Sequence, residues 1–358
     1  VPLTLRTPAA PGQAPPRPPR TTAGRRTGLV LVLLAAVALA SLASVLIGAK
    51  HVPPGEALRA LTGDRSGDAL LVAELRFPRT LLGLLVGIAL GVAGTLAQEL
   101  TRNPLGDPGL LGISAGAALA VATSIGVFGL TSPYQYVWFA FLGAALAGAL
   151  VYAIGGAARA SASRGGASPV KLALAGAAVT ALLMSLTHAL VLLDVRTLDQ
   201  YRFWAVGSLA GRDGALAGQL SPFVLAGLLL VAAITPRLNA LALGDDLAGS
   251  LGVRVGTTRL LGAVGVILLT GAAVAAAGPV TFVGLVVPHL VRTFTGPDLR
   301  WLLPGSALAG ATLLLGADTL GRLLDHPGEV QAGVVTAMIG APFLIVLVKR
   351  GRFREQTR

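Results

Sequence analysis

The sequence predicts an all-α protein that crosses a membrane about ten times. Hydrophobic residues fill 54% of its 358 positions and charged residues only 12%. The apolar residues also gather into runs of roughly 20, enough to cross ~30 Å of hydrocarbon at ~1.5 Å per residue. An ordinary soluble domain carries about twice that share of charge. With no cysteine in the chain, neither a disulfide, a thiolate metal site nor a cysteine nucleophile is available.

Residues 1–27 are rich in Pro, Ala and Arg and cannot pack a core, so they predict a disordered cytoplasmic tail. A cleaved leader fits less well, because the charged stretch is too long and the apolar run behind it exceeds a usual h-region. The membrane domain covers 28–350, and 351–358 form a short cytoplasmic tail. Spans are predicted near 28–49, 80–99, 110–130, 137–157, 171–193, 218–235, 258–277, 280–294, 303–320 and 331–348. The second carries Gly83, Gly87, Gly91 and Gly94 at small-xxx-small spacing, which predicts close helix packing. The eighth is short and contains Pro288.

The formal charge of +12 sits almost wholly on arginines in short loops between spans, not on one basic face, which argues against nucleic acid. With ten spans and both termini on one side, 19 of the 28 Lys and Arg residues fall on that side. The positive-inside bias then makes the termini cytoplasmic. Arg76 and Arg79, in "LRFPRT", face outward against this bias. If Pro78 starts the following helix, they also stand at the positive end of its dipole. Contact with lipid phosphate and contact with a partner carrying carboxylates both account for them.

Catalytic signals fail on context. "GISAG" (112–116) matches the nucleophile pattern around Ser114 but opens an apolar helix with no preceding strand. His188 reads as a buried, hydrogen-bonded histidine, and His289 follows Pro288 with no derivable chemistry. No lysine stands in a Walker A pattern, so ATP hydrolysis would belong to another chain. Glu99, Asp194 and Asp318 lie near span ends. That leaves few coupling groups for the alternative reading, a secondary transporter driven by an ion gradient.

Six blocks carry a family resemblance: 75–119 ("LRFPRTLLGLLVG…"), "WAVGSL" (204–209), "LALGDDLAGSLGV" (241–253), "GPVTFVGLVVPHLVR" (278–292), "LLPGSALAGATLLLGADTLGR" (302–322) and "GVVTAMIGAPFLIVL" (333–347). In this order and spacing the chain resembles the iron-siderophore and cobalamin permeases (FecCD type) of bacterial ATP-binding-cassette importers. The resemblance implies a type II importer permease fold with ten transmembrane helices and a second permease subunit, identical or different. It further implies two cytoplasmic ATPase subunits, an extracytoplasmic substrate-binding protein and residence in the inner membrane. The cargo would be a metal chelate, a ferric siderophore first, with cobalamin and haem also open. No cofactor or metal is expected on this chain, since ATP and Mg would be used by the partner ATPase.

By position, the resemblance makes Arg76, Arg79 and Arg322 docking posts for acidic residues of the binding protein. It makes Gly244, Asp245, Asp246, Ala248, Leu251 and Gly252 the contact with the ATPase, with Leu247 and Leu251 one helical turn apart and Asp245 and Asp246 as possible caps. Asn103, Pro104, Pro108 and Gly109, in the irregular "RNPLGDPGLLG", would line or support the pathway, or else form a simple turn. Two positions depart from the family pattern: Gln331 stands where a proline is common, and Leu344 where a second phenylalanine is.

Overall fold

The computed structural model describes residues 23–48, 50–157, 169–212, 214–325 and 328–349. The two tails (most of 1–27, and 351–358) lie outside these residues, as do Arg159 and Arg164. The described residues are helical throughout, without strands. In order they form α1 (Ala23–Leu46), α2 (Pro54–Leu61), α3 (Gly67–Leu71), a π-helical turn (Val72–Arg76), α4 (Phe77–Thr101), a 3-10 turn (Pro108–Leu111), α5 (Ile113–Gly126), α6 (Pro133–Ala157) and α7 (Pro169–Leu193). There follow α8 (Val195–Ala205), α9 (Gly214–Leu241), α10 (Asp245–Ser250), α11 (Val255–Ala277), α12 (Val283–Thr295), α13 (Leu299–Leu324) and α14 (Ala332–Lys349).

Seven of these segments are long and apolar enough to cross a membrane: α1, α3 to α4 as one run, α6, α7, α9, α11 and α13. The shorter apolar helices α5, α12 and α14 fill the remaining three predicted positions. The predicted spans therefore all exist as helices, in register with the sequence reading. Missing from that reading were α2, α3 and α8, which are short and belong to the connections. Of these, α8 had a legible start: Asp194 accepts from the backbone N–H groups of Arg196 and Thr197.

The bundle is organised around α4, which packs against α13, α11, α12 and α9. Its glycine face explains the intimacy. A Cβ on Gly87 would lie 2.6 Å from the Ala311 Cα, and one on Gly91 or Gly94 would strike the Ser306 or Gly284 carbonyl oxygen. Backbones approach this closely only where side chains are absent. By contrast α1 and α7 keep broad apolar faces exposed, as lipid- or partner-facing helices do.

Spans three and eight share an unusual construction. Helix α5 (14 residues) follows Gly112 in the left-handed region, and α12 (13 residues) follows Phe282, also left-handed at φ 68°. Non-glycine residues rarely adopt that conformation. Phe282 packs over Gly340 of α14, where a Cβ would collide with its ring. These two short helices stand five spans apart, the spacing expected of two five-span halves.

Candidate functional site

Two polar clusters occupy the two ends of the bundle. At the end opposite α10, the sequence places Arg76 and Arg79 on α4 or just before it, and Arg322 on α13. Pro78 is the second residue of α4, as the sequence predicts, but that helix has no free N-terminus. Helical backbone runs on from Gly67 to Thr101, and the π turn at Val72–Arg76 absorbs the amide that Pro78 lacks, with the Phe77 N–H bonding to the Val72 carbonyl. The two arginines are thus inside a continuous helix, and the dipole cost expected of them does not arise.

All three predicted docking arginines have partners within the chain. Arg76 is buried and donates to the carbonyl oxygens of Val45 (3.1 Å), Leu46 (2.7 Å) and Lys50. Arg322 donates to the Ser44 carbonyl at 2.9 Å and the Ile47 carbonyl at 2.6 Å. The Ser44, Val45 and Leu46 carbonyls are the last of α1, which a helix leaves without internal partners and where its dipole favours a cation, while Ile47 and Lys50 lie in the chain just beyond it. A hydrogen bond of 2.8 Å between Ser44 Oγ and Thr80 Oγ1 closes the joint between α1 and α4.

Arg79 faces the other way. Its Nε lies 2.9 Å from Asp318 Oδ2 and its Nη2 2.8 Å from Asp318 Oδ1, a two-pronged pair, while Nη1 reaches Glu329 Oε2 at 2.8 Å. Arg322 Nη2 also approaches Asp318 Oδ2 at 3.2 Å. Asp318 is 1% exposed and Arg322 4%, against 13% for Arg79 and 31% for Glu329. The cluster thus has a sealed half around Asp318 and an accessible half at Glu329. It borders a cavity of about 420 Å³ whose wall includes Lys50, Arg76, Arg79, Arg212, Arg322 and Glu329. Lys50 pairs with Asp68 at 2.6 Å, and Arg212 donates to the Tyr136 hydroxyl at 2.9 Å. The sequence reading missed Asp318, Glu329, Lys50 and Arg212 as members of this cluster.

At the other end, Gly244 and Gly252 bracket α10 with φ of 108° and 81°, values that favour glycine. The N-cap is Gly244 with no side-chain bond, so neither Asp245 nor Asp246 caps the helix. Asp245 instead accepts from Arg102 Nη2 (2.6 Å) at the end of α4 and from Arg259 Nη2 (2.9 Å) on α11. Ala248 is fully buried beneath the helix, Asp246 is exposed, and Leu243, Leu247 and Leu251 stand exposed around it. Apolar knobs on a helix anchored by an ion cluster form a surface suited to a partner groove.

Between α4 and α5 the four pathway candidates divide. Asn103 and Pro104 line a cavity of about 490 Å³ at this same end, together with Glu99, Arg102, Arg259 and Arg292. Asn103 Oδ1 accepts from the Leu105 N–H in a turn. Pro108 is buried, its Cδ filling the place a Cβ on Gly284 would take, and Gly109 donates to Asp107 Oδ1 at 2.8 Å. Burial pushes the Asp107 carboxyl above the ordinary range, only partly offset by that bond. His188 is another correction: it lies on the exposed face of α7, beside Ser185 rather than inside the core. Among the described residues, no group of three or more His, Asp or Glu side chains could hold a metal ion.

Among the described residues, seven helices long enough to cross a membrane and three shorter apolar ones, packed around the glycine face of α4, define a polytopic membrane protein. The comparisons make this specific: the model of the FecCD transport family matches residues 33–350, and the chain belongs to that family. It is 46% identical over 327 residues to the ferric enterobactin transport system permease protein FepD of Escherichia coli K12, covering 90% of this chain and 94% of that protein. Identity to the Fe(3+)-citrate import system permease protein YfmD of Bacillus subtilis 168 is 42% over 307 residues, covering 86% and 90%. The fold matches a solved ABC transporter chain of the metal-chelate type, in an inward-facing conformation, with a TM-score of 0.77 and 28% identity over 90% of this chain and 99% of that one.

Proposed function

We propose that the chain is the permease subunit of an ATP-driven importer of a metal chelate, with a ferric siderophore as the first expected cargo. The observation that carries this reading is family membership across the whole membrane domain, joined to an α10 that offers Leu243, Leu247 and Leu251 outward. In this reading α10 takes the push of a cytoplasmic ATPase, and Asp245 passes it to α4 and α11 through Arg102 and Arg259. The chain binds no ATP or Mg itself. The exposed faces of α7 and α14 meet a second permease subunit or lipid, both termini lie in the cytoplasm, and the membrane is the inner one.

The opposite end then faces the extracytoplasmic binding protein. Its cavity gathers five cations against Glu329, with Asp68 and Asp318 as neighbours, so a carboxylate-bearing surface fits it. Arg76 and Arg322 serve this docking as structural supports, because α1 carbonyls already use their donors. Arg79, Lys50 and Arg212 supply the accessible charge.

The test is uptake of radiolabelled ferric siderophores, ferric citrate, haem and cobalamin by cells with and without this gene, each with and without ATP depletion under a clamped proton gradient. Loss of one chelate's uptake on deletion, together with ATP dependence, is the expected result. Uptake that follows the proton gradient and ignores ATP would overturn the importer reading in favour of a secondary transporter.

A further inference from the structure

Arg79 holds two carboxylates that differ in one respect. Asp318 takes two of its donors, is sealed from solvent and is shared with Arg322, so nothing from outside can replace it without leaving two buried cations poorly paired. Glu329 takes the third donor, is partly exposed and borders the mouth cavity. It also belongs to the connection between α13 and α14. The other ties of that connection include backbone bonds, from Val330 N–H to the Gly321 carbonyl and from Gly333 N–H to the Gly207 carbonyl. Beyond it α14 packs mainly on α13 and α12 and leaves Met338, Ile339, Ile345 and Val346 exposed.

We propose that Glu329 is an internal stand-in for a carboxylate of the docking partner, and that docking exchanges one carboxylate for the other on Arg79, releasing the connection that leads into α14. This rests on the docking reading of the mouth cavity. The exchange conserves charge pairing: Arg79 keeps three bonded donors throughout, and Glu329 moves into water, where its carboxylate is readily solvated. The ion pair is therefore a latch rather than a brace. Occupancy of the outer surface becomes a change in the tether of α14, the last span, without any buried charge losing its partner. The same geometry predicts weak, salt-sensitive docking, because the incoming carboxylate competes with one already in place.

The experiment uses the full transporter in lipid nanodiscs, with the binding protein that supports uptake through it as ligand and a tetraglutamate peptide as minimal probe, tetraglutamine serving as control. Binding is measured for wild type, Glu329→Gln, Lys50→Gln and Arg212→Gln, and hydrogen exchange is followed at 329–335. Monodisperse elution and thermal stability establish that each variant is folded.

The expected result is roughly two- to fivefold tighter binding by Glu329→Gln, the range for a partly exposed ion pair, and weaker binding by the other two. Exchange at 329–335 in undocked Glu329→Gln should match docked wild type, and tetraglutamate alone of the two peptides should raise it in wild type. If Lys50→Gln and Arg212→Gln weaken binding while Glu329→Gln changes neither affinity nor exchange, the latch is wrong and docking at the cavity stands. If none of the three alters binding, the docking reading fails and the latch fails with it.

Discussion

Substituting Asp318 by Asn tests whether the outer cluster is held from its sealed half. Asp318 is 1% exposed and receives donors from Arg79 at 2.8 and 2.9 Å and from Arg322 at 3.2 Å. Asparagine keeps the volume, but it offers one acceptor oxygen and turns an amide donor toward guanidinium donors. Two buried cations are then left with Glu329 as their remaining anion. Breaking a buried pair by removing one partner costs about 3–5 kcal/mol. Taking ~2 °C per kcal/mol for a chain of this size, the onset of thermal unfolding in nanodiscs should fall by roughly 6–10 °C. The control is Glu329→Gln, whose carboxylate is partly exposed: screening limits that pair to about 1 kcal/mol or less and the shift to ~2 °C. Tryptophan fluorescence or loss of monodisperse protein on heating gives the readout. If Asp318→Asn and Glu329→Gln shift by the same amount, the division into sealed and accessible halves is wrong.

Three further perturbations probe other parts of the fold. Gly91→Ala places a Cβ against the Ser306 carbonyl oxygen and should cost about 1–3 kcal/mol or more by parting α4 from α13, while Gly316→Ala, where a Cβ meets open space, should be neutral or gain up to ~1 kcal/mol; thermal shifts of the two decide this. Asp107 has a carboxyl pKa raised by burial, so its stability contribution is fully present below the unfolded pKa and is lost as pH rises through the folded one. Asp107→Asn, which keeps an acceptor for the Gly109 N–H, should therefore match wild type at low pH and be the more stable of the two at neutral pH, as thermal scans across pH would reveal. Leu247→Asp, on the exposed face of α10, should abolish uptake and ATPase co-purification with no change in thermal stability.

The spans were legible because each needs a run of apolar residues, a constraint that acts within the segment itself. The glycine face of α4 was legible for the same reason, since its spacing lies along one helix. What could not be read were relations between segments. The partners of Asp245 lie 143 positions before it and 14 after it, and those of Arg79 lie 239 and 250 positions away. No local pattern joins such pairs. The resemblance located α10 and its bracketing glycines, yet it left Asp245 as a possible cap because its real use depends on where α4 ends. His188 went wrong differently: within a long apolar run the sequence does not say which face a neighbouring helix covers, and α7 is covered on one side only.

Arg76, Arg79 and Arg322 carry a more general lesson about charge bias. A cation on the less favoured side of a membrane protein needs an anionic or dipolar partner, and reasoning from the sequence looked outward for it. Inside the molecule there was a second supplier. Every span that ends in a connection leaves carbonyl groups without helical partners, and α1 ends beside both Arg76 and Arg322. These two side chains complete the end of a helix, a use that requires no outside partner. Arg79 alone of the three combines an internal pair with an accessible one. The three arginines thus divide into two that bond the end of α1 and one, Arg79, whose second carboxylate partner is accessible.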